Sequence, residues 1–154
     1  MKYSLLSNNP NVINTIASWI YDEWLKTNPD SSVDKIVSLL SQRINSSTAP
    51  LTIVAYSDDD VPVGTASLTK LDMKSHPELS PWLGSVFVPP MARGQGIATE
   101  LCKRIESEAK RLKYPKIYLF TKDQMPLYEK LGWKIRSTEN HKGMNVTIME
   151  KTLS

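Results

Sequence analysis

Glycine and arginine residues meet at the junction between a predicted strand and a predicted helix. Residues 93–98 read RGQGIA, follow the apolar run of Val86, Phe87 and Val88, and precede an amphipathic stretch over residues 99–113. The first N–H groups of a helix have no intrahelical partner and lie at the positive end of the helix dipole, so they bind phosphate oxygens well. Glycine lets such a ligand approach the backbone. The segment therefore indicates an anion site.

The spacing of the glycines decides between the known types of phosphate-binding loop. A dinucleotide-binding fingerprint has a third glycine and an acidic residue about twenty positions later. Here Thr99 occupies the third glycine position, and no acidic residue stands near position 119. A P-loop ends in Gly-Lys-Ser/Thr, which is also absent. The pattern that remains is Arg-x-x-Gly-x-Ala, formed by Arg93, Gly96 and Ala98.

Two segments of the chain resemble a known family. Arg-x-x-Gly-x-Ala is similar to the pyrophosphate loop of the GNAT superfamily of acyl-CoA-dependent N-acetyltransferases, whose pattern is Arg/Gln-x-x-Gly-x-Gly/Ala. Residues 126–133, PLYEKLGW, resemble the aromatic-Tyr-x-x-Leu-Gly-aromatic segment that closes the acetyl-CoA site in that superfamily. One helix, one strand and a short loop fit between the two segments. The resemblance is close over residues 80–136 and, before them, rests on the predicted pattern of helices and strands.

The resemblance implies that acetyl-CoA is the cosubstrate and lies between two strands that splay apart, residues 82–88 and 116–120. The pantetheine amides would pair with the backbone of Val86 and Val88, as an added strand does at an open sheet edge. The pyrophosphate would accept hydrogen bonds from the N–H groups of the glycine loop, with the Thr99 hydroxyl as a further donor. The cofactor-binding residues implied in this way are Val86, Phe87, Val88, Arg93, Gly94, Gln95, Gly96, Ile97, Ala98 and Thr99.

The resemblance also implies the reaction, which is transfer of acetyl from acetyl-CoA to a primary amine by direct attack. Tyr128 matches the position of the family's general acid, and its phenol, with a reference pKa of about 10, would protonate the departing thiolate. A backbone N–H near Phe87 or Val88 would stabilise the oxyanion. The amine belongs to a small molecule or to a peptide N-terminus, and the sequence leaves both open.

The chain departs from the family pattern at the general base. Family members often carry a glutamate near the splayed strand that precedes the glycine loop, but residues 82–88 read WLGSVFV and contain no carboxylate. The asparagine that is common before the tyrosine helix is also missing. The base therefore has no assignment, and an acyl-CoA-binding module that senses or regulates without turnover is the alternative function.

Four residues that precede or begin this strand are candidates for contact with the amine. They are Asp72, His76, Glu78 and Trp82. Each also has a purely structural interpretation: the two acidic residues as loop carboxylates, the histidine as a surface residue, and the tryptophan as a packing residue.

Length and composition exclude several other classes of protein. The 154 residues predict one ordinary domain over residues 1–154, with 40% hydrophobic and 23% charged residues and no repeat. One cysteine and two distant histidines offer neither an internal disulfide nor a metal site. A net charge of +3, with alternating signs along residues 100–113, argues against nucleic acid as a partner. With no signal peptide or membrane span, a cytoplasmic protein is expected, either a monomer or a homodimer.

The elements that must position the candidate residues follow from periodicity and turn signals. Helical spacing of apolar residues predicts helices over residues 11–26, 31–44, 99–113 and 126–132. Short runs of apolar residues, rich in β-branched residues over 51–56 and 61–71 and separated by turn signals, predict strands over residues 2–6, 51–56, 61–71, 82–88, 116–120, 133–137 and 144–150. The resemblance implies the same order and the GNAT fold. This is an α/β (α+β) fold with a mixed, mostly antiparallel central sheet of about six to seven strands, splayed between strands 4 and 5 and flanked by about four helices.

Overall fold

A mixed sheet with helices on both faces makes up the computed structural model, which describes residues 1–44 and 47–153. The strands are β1 (Lys2–Leu5), β2 (Leu51–Tyr56), β3 (Pro62–Thr69), β4 (Trp82–Phe87), β5 (Lys116–Thr121), β6 (Lys134–His141) and β7 (Met144–Thr152). The helices are α1 (Ile13–Ile20), α2 (Val33–Ser41), α3 (Ile97–Arg111) and α4 (Met125–Lys130). The seven strands lie in the order β1-β2-β3-β4-β5-β7-β6. The predicted fold class and element order are confirmed.

The first predicted helix, residues 11–26, is built from three kinds of helical turn. Pro10–Val12 form a 3-10 turn, α1 follows, and Tyr21–Leu25 continue as a π-helical turn. Ser32 caps the second helix, because its hydroxyl accepts a hydrogen bond from the Lys35 N–H at 3.1 Å. It ends at Ser41, three residues before the predicted end. π-turns often occur at functional sites, and this one lies next to the end of β4.

The last hairpin is longer than predicted. Its β6–β7 ladder continues to the pair His141↔Met144, and Lys142 and Gly143 form the turn with φ values of 52° and 83°. A two-residue turn with positive φ at both positions matches the twist of a hairpin. β6 is the edge strand at one end of the sheet, and its residues are mostly polar and exposed. Hydrophobic alternation therefore did not reveal its full length.

The sheet separates two layers of helices. Residues of β2 alternate between them: Ile53 and Ala55 pack in the cluster that contains the buried face of α3, whereas Val54 and Tyr56 pack in the cluster of α1 and α2. The stretch predicted to be amphipathic has one buried face in α3, with Ile97, Leu101, Ile105 and Ala109 all at 2% exposure or less. No helix in the described part of the chain is long and apolar enough to span a membrane.

The sheet opens between β4 and β5. These two strands run parallel and share one register pair, Trp82↔Tyr118. On their other sides, β4 pairs with β3 and β5 pairs with β7 in longer antiparallel ladders. On the other side of β4, Gly84 pairs with Ser67 and Phe87 with Thr65. β4 therefore advances three residues where β3 advances two, which is a β-bulge. The bulge bends the end of β4, so the two parallel strands diverge beyond their shared pair.

Candidate active site

The glycine loop takes the backbone conformation that its composition predicts. Gly94 and Gly96 have φ values of 81° and 77°, in the left-handed region that glycine adopts without a steric cost. A Cβ on either residue would meet no protein atom within 4 Å. Gly96 is the N-cap of α3, and its carbonyl accepts the N–H of Glu100 at 3.1 Å. The N–H groups that open α3 thus point out of the helix beside an open space.

That open space is a cavity of about 170 Å³ at the N-terminus of α3. Its lining includes most of the residues predicted to bind the pyrophosphate. They are Val88, Ala92, Arg93, Gly94, Gly96, Ile97, Ala98 and Thr99. The cavity therefore lies between the end of β4 and the first turn of α3.

Arg93 joins the loop to the end of β4. Its Nε donates to the carbonyl oxygen of Val88 at 2.8 Å, and its guanidinium carbon lies 5.8 Å from the ring centroid of Phe87. A guanidinium has further donors beside Nε, in a planar arrangement that matches a phosphate. In this position the side chain supports the loop as well as lining the cavity.

Two tryptophans pack over the end of β4, and the sequence alone did not place them there. The ring centroids of Trp19 and Trp24 lie 5.7 Å and 6.2 Å from that of Phe87. Trp24 belongs to the π-helical turn and remains 49% exposed. The helix predicted over residues 11–26 contains both tryptophans, but only the packing of α1 against β4 brings them to the end of β4. Together the three rings form a wall, which we call the aromatic wall, on the α1 side of β4.

Tyr128 lies on the opposite face of the sheet, in the core beside α3. Its ring meets that of Trp133 edge to face at 6.1 Å, and its hydroxyl contacts the thiol of Cys102 on α3. Burial, together with this thiol, raises the pKa of Tyr128 well above its usual range. Burial also raises the pKa of Cys102 to about 12. Both groups therefore keep their protons at neutral pH, and the phenol is available as a proton donor.

The four candidates for amine contact lie in different environments. Trp82 is fully buried, packs against Tyr118 and Phe120, and donates its indole N–H to the Leu79 carbonyl at 2.7 Å. Its side chain has no exposed part that a substrate could contact, which agrees with the structural interpretation of Trp82 as a packing residue.

His76 and Glu78 form a polar link between the loop before β4 and the last hairpin. The two imidazole nitrogens lie 3.2 Å from a carboxylate oxygen of Glu78 and 2.7 Å from one of Glu139 on β6. Hydrogen bonds to Glu139 and then to Glu78 raise the pKa of His76 above its usual range. This cluster holds the loop that carries Asp72.

Asp72 lies directly over β4. A Cβ built on Gly84 would come within 2.7 Å of its Oδ2 atom, so the carboxylate occupies the space that a side chain at Gly84 would fill. Burial raises the pKa of Asp72, and the positive charge of Arg43 acts in the opposite direction. Neither Gly84 nor Arg43 was identified from the sequence, because neither carries a local signal of function.

Comparison with known proteins identifies the family. The family model described as Acetyltransferase (GNAT) family matches residues 13–133. No protein with curated annotation matches the sequence significantly.

Several solved structures share the fold. An aminoglycoside 6'-N-acetyltransferase complexed with coenzyme A has a TM-score of 0.78 and 20% identity, with 100% of this chain and 98% of that chain covered. A spermidine/spermine N-acetyltransferase from Vibrio cholerae has a TM-score of 0.71 and 19% identity, with 99% and 92% covered. A putative acetyltransferase from Salmonella typhimurium, solved with acetyl-CoA, has a TM-score of 0.74 and 16% identity, with 100% and 94% covered. At these identities the likeness to the solved structures concerns the fold alone. The family model, however, covers most of the chain, so the chain belongs to the GNAT acetyltransferase family.

Proposed function

We propose that this protein is an N-acetyltransferase that transfers acetyl from acetyl-CoA to a primary amine by direct attack. The main support for the proposal is the position of the cavity at the N-terminus of α3. This cavity lies at the end of β4, and β4 is unpaired with β5 beyond one register pair. A ligand with a diphosphate at one end and an amide-bearing arm can occupy both places at once. Coenzyme A has this form, and two of the structures with the same fold contain coenzyme A or acetyl-CoA.

The bound cosubstrate would use backbone groups for most of its contacts. The pantetheine amides would pair with Val86, in the part of β4 that has no register partner on β5, and with Val88, which directly follows this strand. The pyrophosphate would accept hydrogen bonds from the N–H groups of Gly94 to Thr99, including Gln95, with Arg93 beside it. A helix N-terminus favours this negative charge. A backbone N–H of Phe87 or Val88, turned by the bulge, would stabilise the oxyanion.

The proposed general acid and the proposed amine-binding region lie on opposite faces of the sheet. Tyr128 lies on the α3 face, whereas Asp72 and the aromatic wall lie on the face of α1 and α2. The gap between β4 and β5 connects the two faces. An amine can thus approach the thioester from one side while the thiolate departs toward the phenol on the other.

The proton balance assigns a role to Tyr128. The ammonium group loses one proton before its nitrogen attacks the carbonyl carbon, and the new C–N bond forms as the carbonyl π electrons move to oxygen to give a tetrahedral intermediate. The carbonyl then re-forms, the C–S bond breaks and the nitrogen loses its second proton. The thiolate takes a proton from the Tyr128 phenol, which is reprotonated from solvent. The products are the amide, free coenzyme A and one released proton. General acid catalysis of this kind contributes about 100-fold to 10,000-fold in rate.

Amine-dependent release of free thiol from acetyl-CoA tests the proposal. The purified protein is incubated with acetyl-CoA and, in turn, spermidine, an aminoglycoside and a peptide with a free N-terminus, because structures of the same fold include aminoglycoside and spermidine acetyltransferases. The proposal predicts thiol release above background with at least one amine class, and an acetylated product by mass spectrometry. Tight binding of acetyl-CoA without release would support the alternative, an acyl-CoA sensor, for which the lack of a carboxylate on β4 is the motivating observation.

A further inference from the structure

The Asp72 carboxylate lies over β4, the strand that contains no carboxylate of its own. Gly84 pairs with Ser67 across the β3–β4 ladder, so both residues face the same side of the sheet. The Ser67 hydroxyl accepts a hydrogen bond from Nη1 of Arg43, which follows α2, so this side is the face of α1 and α2. The Asp72 carboxylate covers Gly84 on that face, where any residue larger than glycine would displace it.

The opening between β4 and β5 begins at this place. Trp82 and Tyr118 are the shared register pair, so Gly84 and Phe120 lie two residues further along their strands, where the pairing has ended. The ring of Phe120 packs against Trp82 and lies 5.1 Å from the ring of His141. Asp72 therefore stands on the β4 side of the opening, and the His141 ring stands on the β5 side.

A structural role for Asp72, as counter-charge to the buried Arg43, is the competing interpretation. Arg43 is 8% exposed and influences the pKa of Asp72 electrostatically. However, Asp72 makes no ion-pair contact with any residue in the described ranges, and the recorded hydrogen bond of Arg43 goes to Ser67 instead. Asp72 as a residue is partly exposed, although desolvation is the largest influence on the pKa of its carboxyl group. A carboxylate has about four acceptor sites, so the interaction with the Thr69 side chain leaves acceptor capacity for a further donor.

The geometry points to Asp72 as the residue that binds the ammonium group of the acceptor and takes its proton, in place of a carboxylate on β4. This inference rests on the proposed function and names the group that its amine would meet. An alkyl amine with a pKa of about 10.4 is protonated roughly a thousand-fold over its neutral form at pH 7, so it needs such a base. Arg43, His141 and Lys142 are the other charged or titratable groups that act on Asp72.

The transfer moves one proton from the ammonium nitrogen to a carboxylate oxygen of Asp72 and leaves the nitrogen lone pair free to attack the thioester carbonyl. Desolvation raises the pKa of this carboxyl group, which makes it a stronger base than an exposed aspartate. The proton then passes to solvent, because Asp72 as a residue is partly exposed.

The pH dependence of an Asp72→Asn variant tests this inference. With spermidine as the amine, kcat/KM of D72N is expected to fall at least about 100-fold at pH 7, because a general base contributes on that scale. The defect is expected to shrink to less than about 10-fold at pH 10, where neutral amine is abundant. A merely structural role would lower activity equally at both pH values and would overturn the inference.

Two further variants separate position from charge. Gly84→Ala keeps the carboxylate but places a Cβ 2.7 Å from it, and it is expected to lower kcat/KM with acetyl-CoA affinity unchanged. Asp59→Asn removes an exposed carboxylate in the β2–β3 turn and is the matched control, with no expected effect. Wild-type activity in G84A would contradict the inference.

Failure of the inference and failure of the proposed function give different results. If the wild type turns over spermidine and D72N matches it at pH 7, the inference alone is wrong. If the wild type binds acetyl-CoA but releases no thiol with any amine, the proposed function is wrong. In that case the inference is tested by calorimetry, which measures the binding of spermidine to the complex of the protein with coenzyme A. Binding that is at least about tenfold weaker in D72N than in the wild type supports an ammonium site at Asp72. Equal binding by the two proteins, or no binding by the wild type, overturns the inference.

Discussion

The phenol of Tyr128 on α4 contacts the thiol of Cys102 on α3, and both lie in the core between the sheet and α3. Burial raises the pKa of each group, so the pair is neutral at physiological pH. In the proposed reaction the same phenol would protonate another sulfur atom, that of the departing thiolate.

Replacing Tyr128 by phenylalanine removes the proposed acid with little change in volume. We expect kcat to fall at least about 100-fold, because general acid catalysis is lost, while the Kd for acetyl-CoA stays within about twofold, since the phosphate contacts lie on α3. An assay of thiol release over time measures kcat, and calorimetry measures the Kd for acetyl-CoA. Tyr114→Phe is the matched control, because this residue follows α3 and lies outside the site. Full activity in Y128F at every pH would remove the assignment.

Cys102 is expected to be unreactive in the native protein. Thiolate is the nucleophilic form of cysteine, and a pKa of about 12 combined with full burial keeps the thiol protonated and out of reach. Iodoacetamide at pH 8 should leave the folded protein unmodified and alkylate it once it is unfolded in urea, as followed by intact mass. Rapid alkylation of the folded protein would show that the contact with Tyr128 opens readily.

Gly96→Ala should lower both stability and cosubstrate affinity. The left-handed backbone costs a residue with a side chain about 1 to 2 kcal/mol, and the new methyl group points toward the cavity. Gly143→Ala is a close control, because Gly143 has a φ of 83° and an equally open Cβ position but lies in the β6–β7 turn. Both variants should lose similar stability in urea unfolding. A weaker Kd for acetyl-CoA is expected in G96A alone, and equal affinities would contradict the placement of the pyrophosphate.

Arg93→Ala removes the bond to the Val88 carbonyl and the guanidinium beside the cavity. We expect the Kd for acetyl-CoA to rise about tenfold, since a hydrogen bond to a charged group contributes roughly 1.5 to 3 kcal/mol. Arg104→Ala, on the exposed face of α3, controls for the loss of charge. An R93A variant that binds as tightly as R104A would show that Arg93 only supports the loop.

The His76 cluster predicts a pH dependence of stability. Its folded pKa lies above the unfolded value of 6.5 because of hydrogen bonds to Glu139 and Glu78. The contribution is therefore fully present below pH 6.5 and is lost as the pH rises through the folded pKa. The stability difference between the wild type and His76→Gln, from urea unfolding, should shrink from pH 5.5 to pH 9. A difference that is constant across this range would show that the imidazolium contributes nothing.

The conformation of the glycine loop could be predicted from the sequence because its determinants are local. The residues from Arg93 to Thr99 form one continuous turn, and the direction of its backbone N–H groups follows from the start of α3. The segment around Tyr128 is likewise a short helix ended by Gly132, whose φ is 92°. Patterns of this kind are visible in a linear sequence, and they also predicted the order of strands and helices.

The region proposed to meet the acceptor depends on contacts between residues far apart in the chain. Asp72 over Gly84, Trp19 against Phe87 and the thiol of Cys102 beside Tyr128 each join separate elements. None of these contacts is marked by a spacing in the sequence, because the register of the β3–β4 ladder, its bulge and the packing of α1 decide which side chains meet. The sequence by itself thus determined the fold class and the glycine loop at the start of α3. The tertiary structure decided that Asp72 lies over Gly84, since that depends on strand register and close packing rather than on local conformational preference.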